Sequence, residues 1–171
     1  QINKIVKAAQ ADKAFVNEVI NATVPSYGGK EEFRFDSVTI SVVLENIPTC
    51  KDFMSEIINA KNSDIHRYNK YEYSNQDIKS LAKAAKIDAE YTKELLNTYE
   101  EFYNNEINKR FTSSQIFEII NAGQNNKTLM KDLVNSTKQN LYDNRQVAAY
   151  NPKAIVEILN LEKNIDDKAF M

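Results

Sequence analysis

The chain has few of the residues on which tight turns, disulfides and metal sites depend. Its 171 residues include three Gly, three Pro, one Cys (Cys50), one His (His66) and no Trp. So few Gly and Pro residues argue against sandwiches, barrels and doubly wound sheets, because those folds need many tight turns. A lone Cys excludes an intramolecular disulfide, and a lone His excludes a multi-histidine metal site. We therefore expect a mainly helical protein without a metal ion.

The sequence also lacks the motifs of nucleotide binding and of general acid–base catalysis. Two of the three glycines are adjacent, Gly28 and Gly29, so neither a dinucleotide fingerprint nor a P-loop can be built. The acidic pair Glu100 and Glu101 would point about 100° apart on a helix, so the two carboxylates would not converge on one substrate atom. We expect no enzyme activity, no catalytic residues and no cofactor.

The longest amphipathic stretch covers residues 88–109, DAEYTKELLNTYEEFYNNEINK. Drawn as a helix, its apolar side chains fall within an arc of about 160°. We expect an all-α protein, an irregular bundle of about six or seven helices around this central helix, folded as a single domain over residues 1–171. No internal repeat is evident at this level.

Residues 33–44, FRFDSVTISVVL, are rich in β-branched side chains, which favour a strand. No second strand of similar quality is evident to pair with it, and an isolated strand leaves its backbone groups unsatisfied. We therefore predict a short buried helix that Asp36 or Ser37 caps. A small hairpin or an edge strand is the alternative.

Other helix boundaries follow from capping residues. A first helix is expected from residue 2 to 24, with an interruption where Asp12 starts a new turn. Thr112 and Gln115 have the spacing of a capping box, and Gly123 is placed for a left-handed C-cap. Asn151, followed by Pro, predicts the start of the last helix.

The stretch HRYNKYEYSN is the strongest sequence signal for a contact surface. Tyr and Arg are enriched at binding hot spots, so Arg67, Tyr68, Tyr71 and Tyr73 are predicted to bind a partner protein. The alternative is that these tyrosines only cover the edge of the bundle. The adjacent Glu100 and Glu101 are a separate acidic patch that would suit a basic partner.

An acidic helical domain without catalytic groups is typical of inhibitors, immunity proteins and adaptors, although this is an analogy of class. We expect a non-enzymatic protein-interaction domain, with another protein as partner and no membrane span. The net charge of −2 gives no general attraction for nucleic acid. The numbering begins at Gln1 without Met, so a periplasmic or secreted location is expected, with the cytoplasm as alternative. The oligomeric state is left open.

Two other functions stay open. Residues 78–96, IKSLAKAAKIDAEYTKELL, resemble the helix-turn-helix pattern of DNA-binding repressors, with Leu81 and Ala82 in the first helix and Thr92 and Leu95 in the second. This resemblance implies a DNA-binding regulator. The charge argues against it, because residues 88–107 carry six acids and one base and the DNA phosphates would repel such a recognition helix. The other alternative is a helical carrier that holds a small apolar ligand inside the bundle.

Overall fold

The computed structural model describes residues 2–25, 30–61, 71–101, 106–143 and 145–169. The described part of the chain is mostly helical, which confirms the mainly helical prediction, but short strands are present as well. Within the described ranges there are eight helices: α1 (Ile2–Ala11), α2 (Lys13–Ile20), α3 (Ser37–Leu44), α4 (Ile47–Asn59), α5 (Asn75–Leu96), α6 (Ser113–Gly123), α7 (Lys127–Asn135) and α8 (Pro152–Ala169). Six strands form three antiparallel hairpins: β1 (Thr23–Pro25) with β2 (Glu31–Phe33), β3 (Tyr99–Glu101) with β4 (Ile107–Lys109), and β5 (Thr137–Gln139) with β6 (Gln146–Ala148).

The chain divides into two compact units, residues 1–89 and residues 90–171. In unit 1, α1 packs on α2 and α3, and α4 packs on α2 and α3. In unit 2, α6, α7 and α8 pack on one another. The single domain expected over 1–171 stays a prediction.

The same sequence of elements recurs along the chain at a spacing of 38 residues. Asp12, Cys50, Asp88 and Asn126 interrupt successive helical segments, and their φ angles are −154°, −147°, −153° and −134°. The side chains of Asp12 and Asn126 each accept a hydrogen bond from the backbone N–H three residues later, at 3.0 Å. At Asp12 and Asn126 the interruption is therefore an N-cap that starts the second helix of a pair.

A hairpin follows the first, third and fourth helix pairs, and a backbone hydrogen bond of 2.8–2.9 Å closes the corresponding segment of every repeat. The bonds run from the N–H of Arg34, Glu72, Arg110 and Ala149 to the carbonyls of Ala22, Ala60, Thr98 and Ser136. The last of these bonds spans one residue more than the other three. In the second repeat the described pairing is the bridge between Lys61 and Tyr71. The described part of each repeat is thus two helical segments followed by antiparallel pairing.

The repeat also sets the core. Val19, Ile57, Leu95 and Leu133 occupy one repeated position and are at most 7% exposed. Burying such a side chain contributes roughly 1.5–3 kcal/mol. The repeat is not evident in the sequence because the core position accepts any aliphatic residue and the hairpins differ in sequence. The repeated feature is therefore the class of residue and not its identity.

The predicted central helix over 88–109 is wrong in its second half. The helix ends at Leu96, and residues 99–101 and 107–109 are the strands of a hairpin. Asn97 and Thr98 end it, since their side chains donate to the carbonyls of Lys93 and Glu94 at 2.9 and 3.0 Å. Tyr99 and Ile107, which the helical projection assigned to the core, are 54% and 69% exposed.

Several local predictions are confirmed. Residues 37–44 form the short helix, and the Asp36 carboxylate caps it by accepting from Thr39 N at 2.6 Å. The first helix is interrupted at Asp12, and Thr112 makes the expected capping box. The left-handed C-cap at Gly123 is wrong. Gly123 is the last residue of α6, and Gln124 caps the helix in the right-handed region.

Candidate functional site

The predicted tyrosine surface falls partly outside the described residues. Arg67 and Tyr68 lie in 62–70, so the structure says nothing of them. Tyr71 and Tyr73 are both half-buried in unit 1. Tyr73 lies directly before the helix cap Ser74, and the corresponding residues in the neighbouring repeats, Phe35 and Phe111, are buried. An aromatic residue directly before the N-cap is thus a repeated feature, and this is the position at which a hydrophobic staple begins.

Tyr71 packs against a buried arginine. The guanidinium carbon of Arg34 lies 3.5 Å from the centroid of the Tyr71 ring and 4.7 Å from that of Phe35. The Tyr71 hydroxyl lies 3.5 Å from the Thr23 carbonyl oxygen in the preceding hairpin. Burial lowers the pKa of Arg34 to about 10, with Tyr71 opposing the shift, so the group stays charged at neutral pH. The aromatic ring therefore stabilises a cation that has lost much of its hydration.

Unit 2 contains an open cleft of about 360 Å³ between its two hairpins. One wall is β3 with Tyr99, Glu100 and Glu101, and the other is formed by residues 145–148 together with Thr137 of β5. Arg110 also lines the cleft. The predicted acidic patch, Glu100 and Glu101, is thereby placed in a concave site, which is the usual form of a binding site.

Arg110 is held by backbone carbonyls. Its guanidinium donates to Val134 O at 2.6 Å and to Tyr150 O at 3.3 Å, and it lies 4.8 Å from the Phe111 ring centroid. Burial lowers the pKa of Arg110, while the charge of Glu100 opposes the shift. The side chain is therefore fixed in direction before any ligand arrives.

Arg145, on the opposite wall, pairs with Asp143 at 2.6 Å and reaches Glu101 at 4.0 Å. The hydrogen bond from Arg145 keeps the pKa of the Asp143 carboxyl below its usual range. The lining of the cleft thus holds two acids, Glu100 and Glu101, and two bases, Arg110 and Arg145.

The cleft corresponds to the place that Tyr71 occupies in unit 1. Tyr99 opens its hairpin as Thr23 does in unit 1, and Arg110 directly follows that hairpin as Arg34 follows the first. Ala148 pairs with Thr137 as Tyr71 pairs with Lys61. Tyr71 spans from its own hairpin to Arg34 and Thr23. Ala148 ends at Cβ and cannot span this distance.

Sequence reasoning missed Arg110, Arg145 and Ala148. The 38-residue register aligns Arg110 with Arg34, and it aligns Ala148 with Tyr71 once the extra residue of the last hairpin is counted. Without the register, a single alanine carries no information.

Cys50 and His66 are the one thiol and the one imidazole in the sequence. Cys50 is buried and its thiol donates to Asn46 O at 3.2 Å, and His66 lies outside the described residues. No group of three His, Cys, Asp or Glu residues in the described ranges could hold a metal ion. Among those same residues, no helix combines the length and hydropathy needed to cross a membrane.

Comparison of the chain with protein-family models, curated proteins and solved structures gives no match. The helix-turn-helix resemblance has a structural explanation, because the interruption at Asp88 recurs at Asp12 and Asn126. Thr92 and Leu95 of the would-be recognition helix are buried. DNA binding and the carriage of an apolar ligand stay predictions.

Proposed function

We propose that the chain is a non-catalytic protein-interaction module in which helix pairs form the scaffold and hairpins contact the partner. One observation carries this proposal. Nine large apolar side chains are exposed among the described residues, and five of them belong to hairpins: Phe33, Tyr99, Ile107, Leu141 and Tyr142. The hairpins make up a much smaller part of the chain than the helices, so exposed apolar surface is concentrated on them.

The turn between β5 and β6 is the extreme case. Leu141 and Tyr142 are 94% and 96% exposed and adjacent in sequence. Side chains this exposed add almost nothing to folding, whereas burying them against a partner would contribute roughly 1.5–3 kcal/mol each. Repeat proteins often bind through loops that one face of the scaffold presents. The hairpin turn is therefore suited to a contact that forms only in a complex.

The acidic patch gives the expected charge of the partner. Glu100 and Glu101 lie on the same hairpin as the exposed Tyr99. A basic partner surface would be attracted to them and would associate faster at low salt. An inhibitor, immunity protein or adaptor would use such a surface.

The test is affinity capture with the full chain as bait, followed by mass spectrometry and by measurement of Kd for the captured protein. We expect one stoichiometric partner that the double variant Leu141→Ser, Tyr142→Ser loses. The matched control is Val38→Ser, which removes an exposed apolar side chain (53%) from α3. If the hairpin variant and the control bind equally well, or if no protein is captured, the proposal is wrong.

A further inference from the structure

We propose that the cleft of unit 2 binds a tyrosine side chain that an extended segment of a partner protein presents. This inference deepens the proposed function and rests on it. Its starting point is the correspondence between the cleft and the Tyr71 position, because unit 1 shows which side chain fits between an arginine and the first strand of a hairpin in this scaffold.

The arginine of the site is prepared in the same way in both units. Arg34 lies 4.7 Å from Phe35 and Arg110 lies 4.8 Å from Phe111, so each guanidinium rests on the aromatic residue that follows it. In unit 1 a second aromatic ring, that of Tyr71, lies 3.5 Å from the guanidinium carbon. In unit 2 the corresponding side chain is the methyl group of Ala148. An aromatic ring that enters from solvent would complete the same stacking arrangement on Arg110.

A phenol fits better than a purely apolar ring. The Tyr71 hydroxyl reaches towards the carbonyl of Thr23, and Tyr99 takes the position of Thr23 in unit 2. The cleft volume of about 360 Å³ lies within the range of small-ligand sites and leaves space for residues beside the ring.

The free edge of β3 favours a ligand with extended backbone. Arg110 N donates to Thr98 O, so the bond between the two strands lies at residue 98. Tyr99 and Glu101 therefore occupy the positions of β3 that do not bond to β4. In an antiparallel pair such alternate residues direct their N–H and C=O groups away from the partner strand. Among the described strands β3 pairs only with β4. Tyr99 and Glu101 therefore offer backbone groups to an added strand.

The free edge of β3 favours a peptide over a nucleotide. A nucleotide base also stacks on arginine, but a nucleotide has no peptide groups that could pair with Tyr99 and Glu101. A peptide with a basic residue next to its tyrosine would also gain from both carboxylates. The favoured ligand is thus an extended segment with a tyrosine and a neighbouring Lys or Arg.

The experiment uses a phage-displayed library of random peptides selected on the full chain. We expect tyrosine, with a basic neighbour, to be enriched at one position, and peptides in which this tyrosine is replaced by alanine to bind roughly tenfold or more weakly. In the variant Ala148→Tyr the scaffold fills its own cleft, as Tyr71 does in unit 1, and the selected peptides should no longer bind. Ala148→Phe is a second filling variant.

Lys138→Tyr is the matched control, because it adds the same side chain to an exposed strand position that does not line the cleft. It should bind the peptides as the unchanged chain does. Equal binding to the control and to both folded filling variants would overturn the proposal, as would a selection without aromatic enrichment. Displacement of the peptides by single-stranded DNA would assign the cleft to bases and would also overturn it.

The two proposals can fail separately. If the double variant Leu141→Ser, Tyr142→Ser loses the captured partner while Ala148→Tyr keeps it, the hairpins bind a protein but the cleft does not hold a tyrosine. If peptides bind the cleft but no protein partner is lost in the hairpin variant, the hairpin turn is not the contact surface.

Discussion

Gly123→Ala should destabilise the protein although it improves the helix propensity of α6. Gly123 is buried at the end of this helix, and a Cβ atom there would lie 2.7 Å from Met130 Cβ and 2.5 Å from its Sδ. Ala is favoured over Gly in a helix by about 1 kcal/mol. Overpacking a core costs about 1–3 kcal/mol, and Met130 Cβ cannot rotate away because it is attached to the backbone of α7. We therefore expect a net loss of up to about 2 kcal/mol in the free energy of unfolding.

The assay is urea unfolding followed by far-UV circular dichroism, with Asn121→Ala as control. Asn121 is an exposed residue of the same helix, so this change adds helix propensity without a clash and should be neutral or slightly stabilising. If Gly123→Ala is as stable as the unchanged chain, or more stable, α6 and α7 are not in the close contact on which this reasoning rests.

Three further predictions concern local contacts. Thr112→Ala removes the capping box and should lower the free energy of unfolding by about 1 kcal/mol in urea, whereas Ser114→Ala in the same turn should change it by less than about 0.5 kcal/mol. The pKa of Asp36 is lowered, first by the Thr39 backbone amide that it caps and then by the Thr39 hydroxyl. The stability that the Asp36 carboxylate adds is therefore fully present above the pKa of an unfolded Asp and is lost as the pH falls through the lower pKa of the folded state. Asp36→Asn should flatten the acid side of a plot of Tm against pH. Tyr71→Ala should lower Tm because it uncovers the cation of Arg34, while Tyr71→Phe should keep most of the stability; equal Tm values for the two variants would show that the ring does not stabilise Arg34.

The features that could be predicted from sequence are those that depend on neighbouring residues. Asp36 caps α3 and Thr112 caps α6 through hydrogen bonds to backbone groups three residues away, so the residues that determine these helix starts are visible in a short window. The mainly helical class likewise follows from the low content of Gly and Pro.

The errors come from competition between local patterns and longer-range structure. Residues 88–109 have the apolar arc of a helix, yet Asn97 and Thr98 end the helix. Residues 99–101 and 107–109 then pair with each other as β3 and β4. Gly123 was assigned a C-cap because Gly is common there, whereas its role depends on Met130 in the next helix. Such a contact between elements leaves no pattern in a short window.

Of the candidate site, the sequence shows directly only the adjacent charges Glu100 and Glu101, and their role in binding stays a prediction. Arg110 and Ala148 acquire meaning only through the hairpin register and through comparison with Arg34 and Tyr71. That comparison requires the repeat to be known.

Photo-crosslinking tests most directly the claim that hairpins, and not helix faces, hold the partner. A photoreactive phenylalanine analogue would replace either Tyr142, at the β5–β6 turn, or Lys153, which is 87% exposed on α8, and each chain would be irradiated with the partner captured by the unchanged protein. The account predicts a crosslink from position 142 and none from position 153. A crosslink from position 153 alone would contradict it and would move the binding surface to the helices.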